Sequence, residues 1–325
     1  MSHQKKDKND KEALKKALKE AKFTPASRFL LGLVIVLGIG MIVAAVLFAL
    51  KLSEEVKAQK EAEVLERFYS IEETEDNTGR EVLSDVEGAE QDDILTRIGA
   101  DRDGEANLPD EAERVIAGFS ADYEGLRAVN PDFAGILYVP AVDLVEPVAA
   151  GADNQKYLKK TFRGAANAAG AVFLDAGCGA DLSDLHLIFY GHNMRNGSRF
   201  GSLKQFLRDE SLAEREPFIY LCREDGVRVY RIFACYTASE RSDDFMLIPE
   251  GEAELASAYG KQARKRSLYR PAREADDAAY MPDFDTAPQI LTLATCSGRA
   301  GTSRRLLVQA ALVSYRGSSA ASVEI

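Results

Sequence analysis

The chain has 325 residues, a formal net charge of −11 and 46% apolar residues, enough for one sizeable folded domain with accessory segments. Its acidic balance and the lack of a nucleic-acid-binding signature argue against a nucleic-acid partner. Four cysteines and three histidines show no CxxC pair or Cys/His cluster at metal-ligand spacing, so neither a metal nor another cofactor is expected.

Residues 29–50 are 22 consecutive residues without a charge, flanked by Arg28 and Lys51. As a helix they span roughly 33 Å, which suits a bilayer core of about 30 Å. Residues 1–28 carry nine Lys/Arg against four Asp/Glu, which predicts a cytoplasmic N-terminus with everything after Lys51 outside. The apolar run is longer than a signal-peptide core and is followed by Lys-Leu-Ser-Glu-Glu, so an uncleaved single-pass anchor is expected. Residues 51–114 carry eight basic and 21 acidic residues and read as an acidic extracellular stalk. Leu52, Val56, Val64, Leu65 and Phe68 suit a helix leaving the membrane at its start. The folded domain is placed at 115–325.

After Pro109, residues 110–129 read as one helix capped by Asp110 and stopped by Asn130-Pro131. Short apolar runs then follow at 134–139, 142–149, 170–174, 185–190, 218–222, 227–237, 290–295 and 306–315. Pro147 suggests that the second lies at an edge. Eight short strands with few long helices between them predict a mostly β fold, a closed or nearly closed barrel. Two helical inserts are expected, at 202–208 and 252–266. The second presents Leu255, Ala258 and Tyr259 on one side and ends in a basic turn that suits the helix dipole. Cys222 and Cys235 flank a hairpin around Glu224-Asp225-Gly226. Pairing about that turn sets Cys222 near Arg228 or Val229, which implies no bridge between the two cysteines.

Two segments a hundred residues apart carry the chemistry. Tyr190-Gly191-His192-Asn193-Met194 ends one strand. Thr292-Leu293-Ala294-Thr295-Cys296 ends another, and Arg304-Arg305 opens the next. A thiol at a strand end followed by Ser297-Gly298 is positioned and open to a substrate backbone, but near neutral pH it needs a base or cation beside it. His192 on a glycine-bordered loop can carry protons, whereas His186 inside its strand reads as a structural residue. An arginine can stabilise an oxyanion but not act as a base. Neighbours in a strand face opposite ways, so one of Arg304 and Arg305 shares the side of Cys296.

These segments resemble the sortases, membrane-anchored cysteine transpeptidases of Gram-positive bacteria, and class B in particular. The resemblance runs from about Asn130 to Tyr315. It includes Asn130-Pro131-Asp132-Phe133, Asp153-Asn154 with Tyr157-Leu158, Gly170 to Asp175, the YGHNM segment leading to Phe200-Gly201-Ser202-Leu203, the TLxTC form at Thr292–Cys296 and the Arg-Leu-Leu-Val strand. It implies an eight-stranded sortase-type barrel in which Cys296 attacks the Thr carbonyl of a C-terminal sorting signal and His192 moves protons. It also implies Arg305, directly before Leu-Leu-Val, as the oxyanion donor. Asn193, Thr295, Ser297 and Arg304 are expected to contact substrate, and the acceptor would be an amine of peptidoglycan, as precursor or cross-bridge. Ala294 where Ser is frequent, Ile136 where Trp is frequent and the segment Glu146-Pro147-Val148-Ala149-Ala150, where an apolar-aromatic start is usual, depart from the pattern. Pilin polymerisation, with the acceptor on another surface protein, and a non-catalytic membrane adaptor are the alternatives. An L,D-transpeptidase would carry its His and Cys within a few residues, whereas His192 and Cys296 are 104 apart. A bell-shaped pH–rate profile belonging to the Cys/His pair is expected.

Overall fold

The computed structural model describes residues 25–71, 108–209, 211–269, 282–296 and 303–317. The expectations for the basic tail before residue 25, for residues 72–107 of the stalk and for Ser297 lie outside them. Two compact units are present, Met1–Glu55 and Val56–Ile325. In the first, the described residues belong to α1 (Pro25–Leu65). This helix holds an 18-residue window of mean hydropathy 3.0 with nothing buried. Among the described residues it alone is long and apolar enough to cross a membrane. Residues such as Phe29, Val36, Met41 and Phe48 are all exposed. A window apolar on every side with nothing buried suits lipid rather than a core.

In the second unit, after the end of α1, come β1 (Tyr69–Ile71), α2 (Asp110–Gly118), β2 (Phe119–Ala121) and α3 (Tyr123–Val129). The single helix expected over 110–129 is thus two helices around a strand. Phe119–Ala121 pairs antiparallel with Tyr69–Ile71, and the Asp122 N–H donates to the Phe68 carbonyl at 2.7 Å. This ladder comes from a distant segment, and it overrides local helix propensity. Asp122, not Asp110, supplies a side-chain cap, accepting from the Gly125 N–H at 2.7 Å.

The eight expected strands form one closed barrel. They are β3 (Phe133–Val139), β4 (Leu144–Ala150), β5 (Val172–Leu174), β6 (His186–Tyr190), β7 (Phe218–Arg223), β8 (Gly226–Ser239), β9 (Ile290–Cys296) and β10 (Arg304–Gly317). Their order is β10-β8-β7-β3-β4-β5-β6-β9. The β4–β5 and β6–β9 pairs are parallel and the rest antiparallel. Pro147 sits in a strand paired on both sides. It is tolerated because the β5 ladder begins only at Val148, so its missing N–H falls beyond that ladder. The β7–β8 hairpin sets Cys222 opposite Val227, one residue short of the expected range, because Glu224-Asp225 is a two-residue loop. Cys178, Cys222 and Cys235 are buried.

Alternation along the strands builds three apolar layers. Leu137, Val148, Phe189, Ile219, Leu293 and Val308 fill the barrel. Outside it, Phe233, Tyr236, Ile290 and Leu307 are covered by α4 (Ala253–Arg266), the longer expected insert. That helix buries Ala256, Tyr259, Gly260 and Ala263, while Leu255 stays 37% exposed, so the buried stripe is rotated from the one expected. The third layer packs Leu65, Leu108 and Leu126 on Ile136, Phe173 and Tyr220. The shorter insert is a 3-10 helix, Ser202–Leu207.

Candidate active site

The site lies at the ends of three neighbouring strands. β6 runs parallel to β9 with Tyr190 opposite Ala294, and the Gly191 N–H donates to the Ala294 carbonyl at 3.3 Å. Two residues on from Tyr190 is His192, and two on from Ala294 is Cys296. The parallel register therefore carries the chain segments bearing both residues to one end of the barrel. On the other side of β9, Arg305 of β10 is the direct partner of Cys296. Directly opposed residues share a face of the sheet. Position 296 continues the face of Thr292 and Ala294, on the outside of the barrel.

The same alternation sorts the two arginines. Arg305 is half-buried, and its Nη2 donates to Glu240 Oε2 at 2.5 Å. Arg304 has the opposite parity, and its Nη2 donates to Thr237 Oγ1 at 2.5 Å. Thr295 pairs with Leu306, a residue of the barrel interior. It is 2% exposed, and its hydroxyl has no hydrogen-bond partner among the described residues. The side chains of Thr295 and Arg304 thus lie on the face opposite the register position of Cys296. A one-residue step along a strand reverses the face, so these two side chains would meet a substrate only from the face opposite Cys296.

His192 stands on a tightly packed turn. Gly191 has no side chain because a Cβ there would meet the Phe200 ring at 2.6 Å. Phe200 is wholly buried, and its N–H donates to the His192 carbonyl at 3.1 Å. The half-buried imidazole donates from Nε2 to the Leu158 carbonyl at 2.8 Å. A carbonyl only accepts, so Nε2 carries hydrogen and Nδ1 keeps the capacity to take up a proton. Gly170, at φ +58°, lies under the ring, where a Cβ would come within 3.0 Å of Cδ2. Asn193 is half-buried and bridges to Arg199 in the same turn.

Around this end, Tyr190 donates to Asp175 Oδ2 at 2.9 Å and stacks on Phe245, with ring centroids 6.3 Å apart. Asn154 Nδ2 donates to the same carboxylate oxygen at 3.1 Å. Burial, reinforced by the Asp175 charge, pushes the Tyr190 phenol far up, so it stays neutral and donates. Glu240 and Phe245 were not singled out from the sequence, since nothing in their local pattern marks them, and Asp175 was noted only as the end of the Gly170 to Asp175 segment, without a role. Among the described residues no group of three His, Cys, Asp or Glu could hold a metal ion. A cavity of about 350 Å³ between Arg127, Phe133 and Arg223 contains none of these residues.

A thiol position opposite an arginine, with a histidine turn alongside, on a closed eight-stranded barrel, is the arrangement of a cysteine acyl-transfer enzyme. The sortase domain family model matches residues 137–313, more than half of the chain, and the chain belongs to the sortase family of cysteine transpeptidases. Its homologues and structural neighbours include class B sortases. Sortase B of Listeria monocytogenes serovar 1/2a (strain ATCC BAA-679 / EGD-e) is 28% identical over 193 residues, 58% of this chain and 72% of that protein. Sortase B of Staphylococcus aureus (strain NCTC 8325 / PS 47) is 22% identical over 192 residues, covering 59% and 74%. The crystal structure of Clostridium perfringens sortase B superposes with a TM-score of 0.51 at 26% identity, covering 59% of this chain and 99% of that one.

Proposed function

We propose that this sortase cleaves a C-terminal sorting signal after Thr and transfers the new carboxyl end to an amine of the cell wall. The Cys296 thiolate attacks the Thr carbonyl carbon, and the negative charge moves to the carbonyl oxygen, where the Arg305 guanidinium stabilises it. As the C–N bond breaks, the leaving amine takes a proton from His192 and a thioester remains on Cys296. An incoming amine then attacks that carbonyl and gives up a proton to His192. The new amide forms and the thiolate departs. The observation that carries this reading is the strand register, in which Cys296 opposes Arg305 and His192 and Cys296 each lie two residues past the Tyr190–Ala294 pair.

Residues 29–50 would anchor the enzyme, with residues 1–28 in the cytoplasm and the barrel and the segment leading to it outside. The uncharged helix and its basic flank support this. Solved structures include a substrate complex of Staphylococcus aureus sortase B and a sortase B complexed with triglycine, and these support a peptide donor and an amine acceptor here. The test is to incubate the full chain in detergent micelles with LPxTG-like, NPxTN-like and PPxTG-like peptides, with and without triglycine. Intact-protein mass spectrometry should find an acyl adduct that triglycine discharges and that Cys296→Ala lacks. An adduct surviving in Cys296→Ala, or peptide turnover without one, would overturn the proposal.

A further inference from the structure

The turn that carries His192 closes through a pair of buried charges. Arg199 is 2% exposed, and its Nη1 donates to Glu146 Oε2 at 2.6 Å. Its backbone N–H donates to the other carboxylate oxygen at 3.0 Å, and its Nε donates to the Gly170 carbonyl at 3.1 Å. Gly170 is the residue beneath the His192 ring. Asn193 and Arg199 form an isolated antiparallel bridge, and Phe200 returns a hydrogen bond to the His192 carbonyl. An unbroken path of contacts therefore runs from Glu146 in β4, through Arg199, to the two sides of His192.

The pair is poorly suited to a purely stabilising role. Burying two charges costs more than an apolar pair of similar size in many proteins. The Arg199 Nη2 finds no acceptor among the described residues, and Arg199 takes a left-handed backbone, φ +53°, that disfavours a branched or long side chain. What the charges add is direction. A carboxylate gripping both the backbone and the guanidinium of one residue admits a single register for the turn.

We propose that Glu146 and Arg199 form a clamp whose role is to fix the orientation of the His192 turn, making both positioning residues for proton transfer at the active site. The inference rests on the proposed role of His192. It adds to that role a specific device, placed in the β4 segment where the chain departs from the apolar pattern of the sortases it resembles.

The test replaces the pair by apolar residues of similar volume, Glu146→Leu with Arg199→Met, in the full chain in detergent micelles. The thermal midpoint should hold or rise. The His192 imidazole ¹H–¹³C cross-peak, assigned by its loss in His192→Gln, should shift or broaden. With a turned-over peptide of the panel and triglycine, kcat should fall about 10- to 100-fold with KM changed less than about threefold. A folded double variant whose His192 cross-peak coincides with the wild type, with kcat unchanged, would overturn the clamp. If the double variant does not fold, Glu146→Gln keeps an acceptor for the Arg199 N–H but removes the charge. It should move the same cross-peak by less, and an unmoved cross-peak there overturns the proposal too. Undiminished transfer by His192→Gln would instead refute the proposed role of His192, whatever the clamp variants do.

Discussion

Two histidines six residues apart show how one strand serves both scaffold and site. His186 is wholly buried under α4, with Nδ1 donating to the Met246 carbonyl at 2.7 Å and Nε2 accepting from Thr292 Oγ1 at 2.7 Å. The Thr292 hydroxyl in turn accepts from Gln309 Nε2 at 3.0 Å, and Gln309 also donates to Tyr259 at 2.7 Å. Every polar atom of the imidazole is engaged, and burial pushes its pKa down to about 4. His192, past Gly191, has one nitrogen engaged by a carbonyl and sits half-buried. A ring satisfied at both nitrogens ties the loop at Met246 to the barrel strand that carries Thr292. A ring oriented through one nitrogen keeps the other for exchange.

That contrast can be tested first where the effect is largest. Cys296→Ala should abolish transfer, and Arg305→Ala should lower kcat by about 10²- to 10³-fold, the usual cost of losing one oxyanion donor. Arg304→Ala, on the other face, should leave kcat within about threefold. Steady-state kinetics on the three variants decides between the two arginines, and equal losses for Arg304 and Arg305 would overturn the register argument.

A stability effect with a definite sign follows for His186. Its folded pKa of about 4 lies below the unfolded value of about 6.5, so the unfolded chain binds the proton first as pH falls. The stability associated with the neutral ring is complete above about pH 6.5 and is lost progressively down to about pH 4, by up to about 3 kcal/mol. Chemical denaturation of the wild type and of His186→Gln across that window should show the two curves converging as pH falls. Parallel curves would remove His186 as the source. At neutral pH, His186→Ala should cost about 1–3 kcal/mol by leaving the Met246 carbonyl without its donor and the Thr292 O–H without its acceptor, with kcat at low temperature nearly unchanged.

The smallest effect concerns Glu240. Its ion pair with Arg305 is partly solvent-exposed, so Glu240→Gln should change stability by about 1 kcal/mol or less. A severalfold fall in kcat with KM held would mark Glu240 as orienting the guanidinium. An unchanged kcat would mark the pair as incidental.

Much of this was legible in the linear pattern. The eight strands, the uncharged 22-residue helix and the glycine-bordered His192 are written in local periodicity and composition, which act over a few residues. The split of residues 110–129, the rotated stripe of α4 and the opposite-facing Thr295 were not, because each depends on a partner far along the chain. Glu146 and Arg199 are 53 residues apart; Glu146 stands out only as a departure from an apolar pattern, and Arg199 reads as an ordinary charged residue.

Side-chain chemistry and short-range spacing dictate the classes of element, the single apolar helix and the two segments that bear a thiol and an imidazole. Three things wait for the folded chain: that Arg305 and not Arg304 opposes Cys296, that the two segments come to one end of the barrel, and that a buried ion pair grips the His192 turn. The difference comes down to register. A strand's two faces are visible locally, but which residue stands opposite which is set only when the barrel closes.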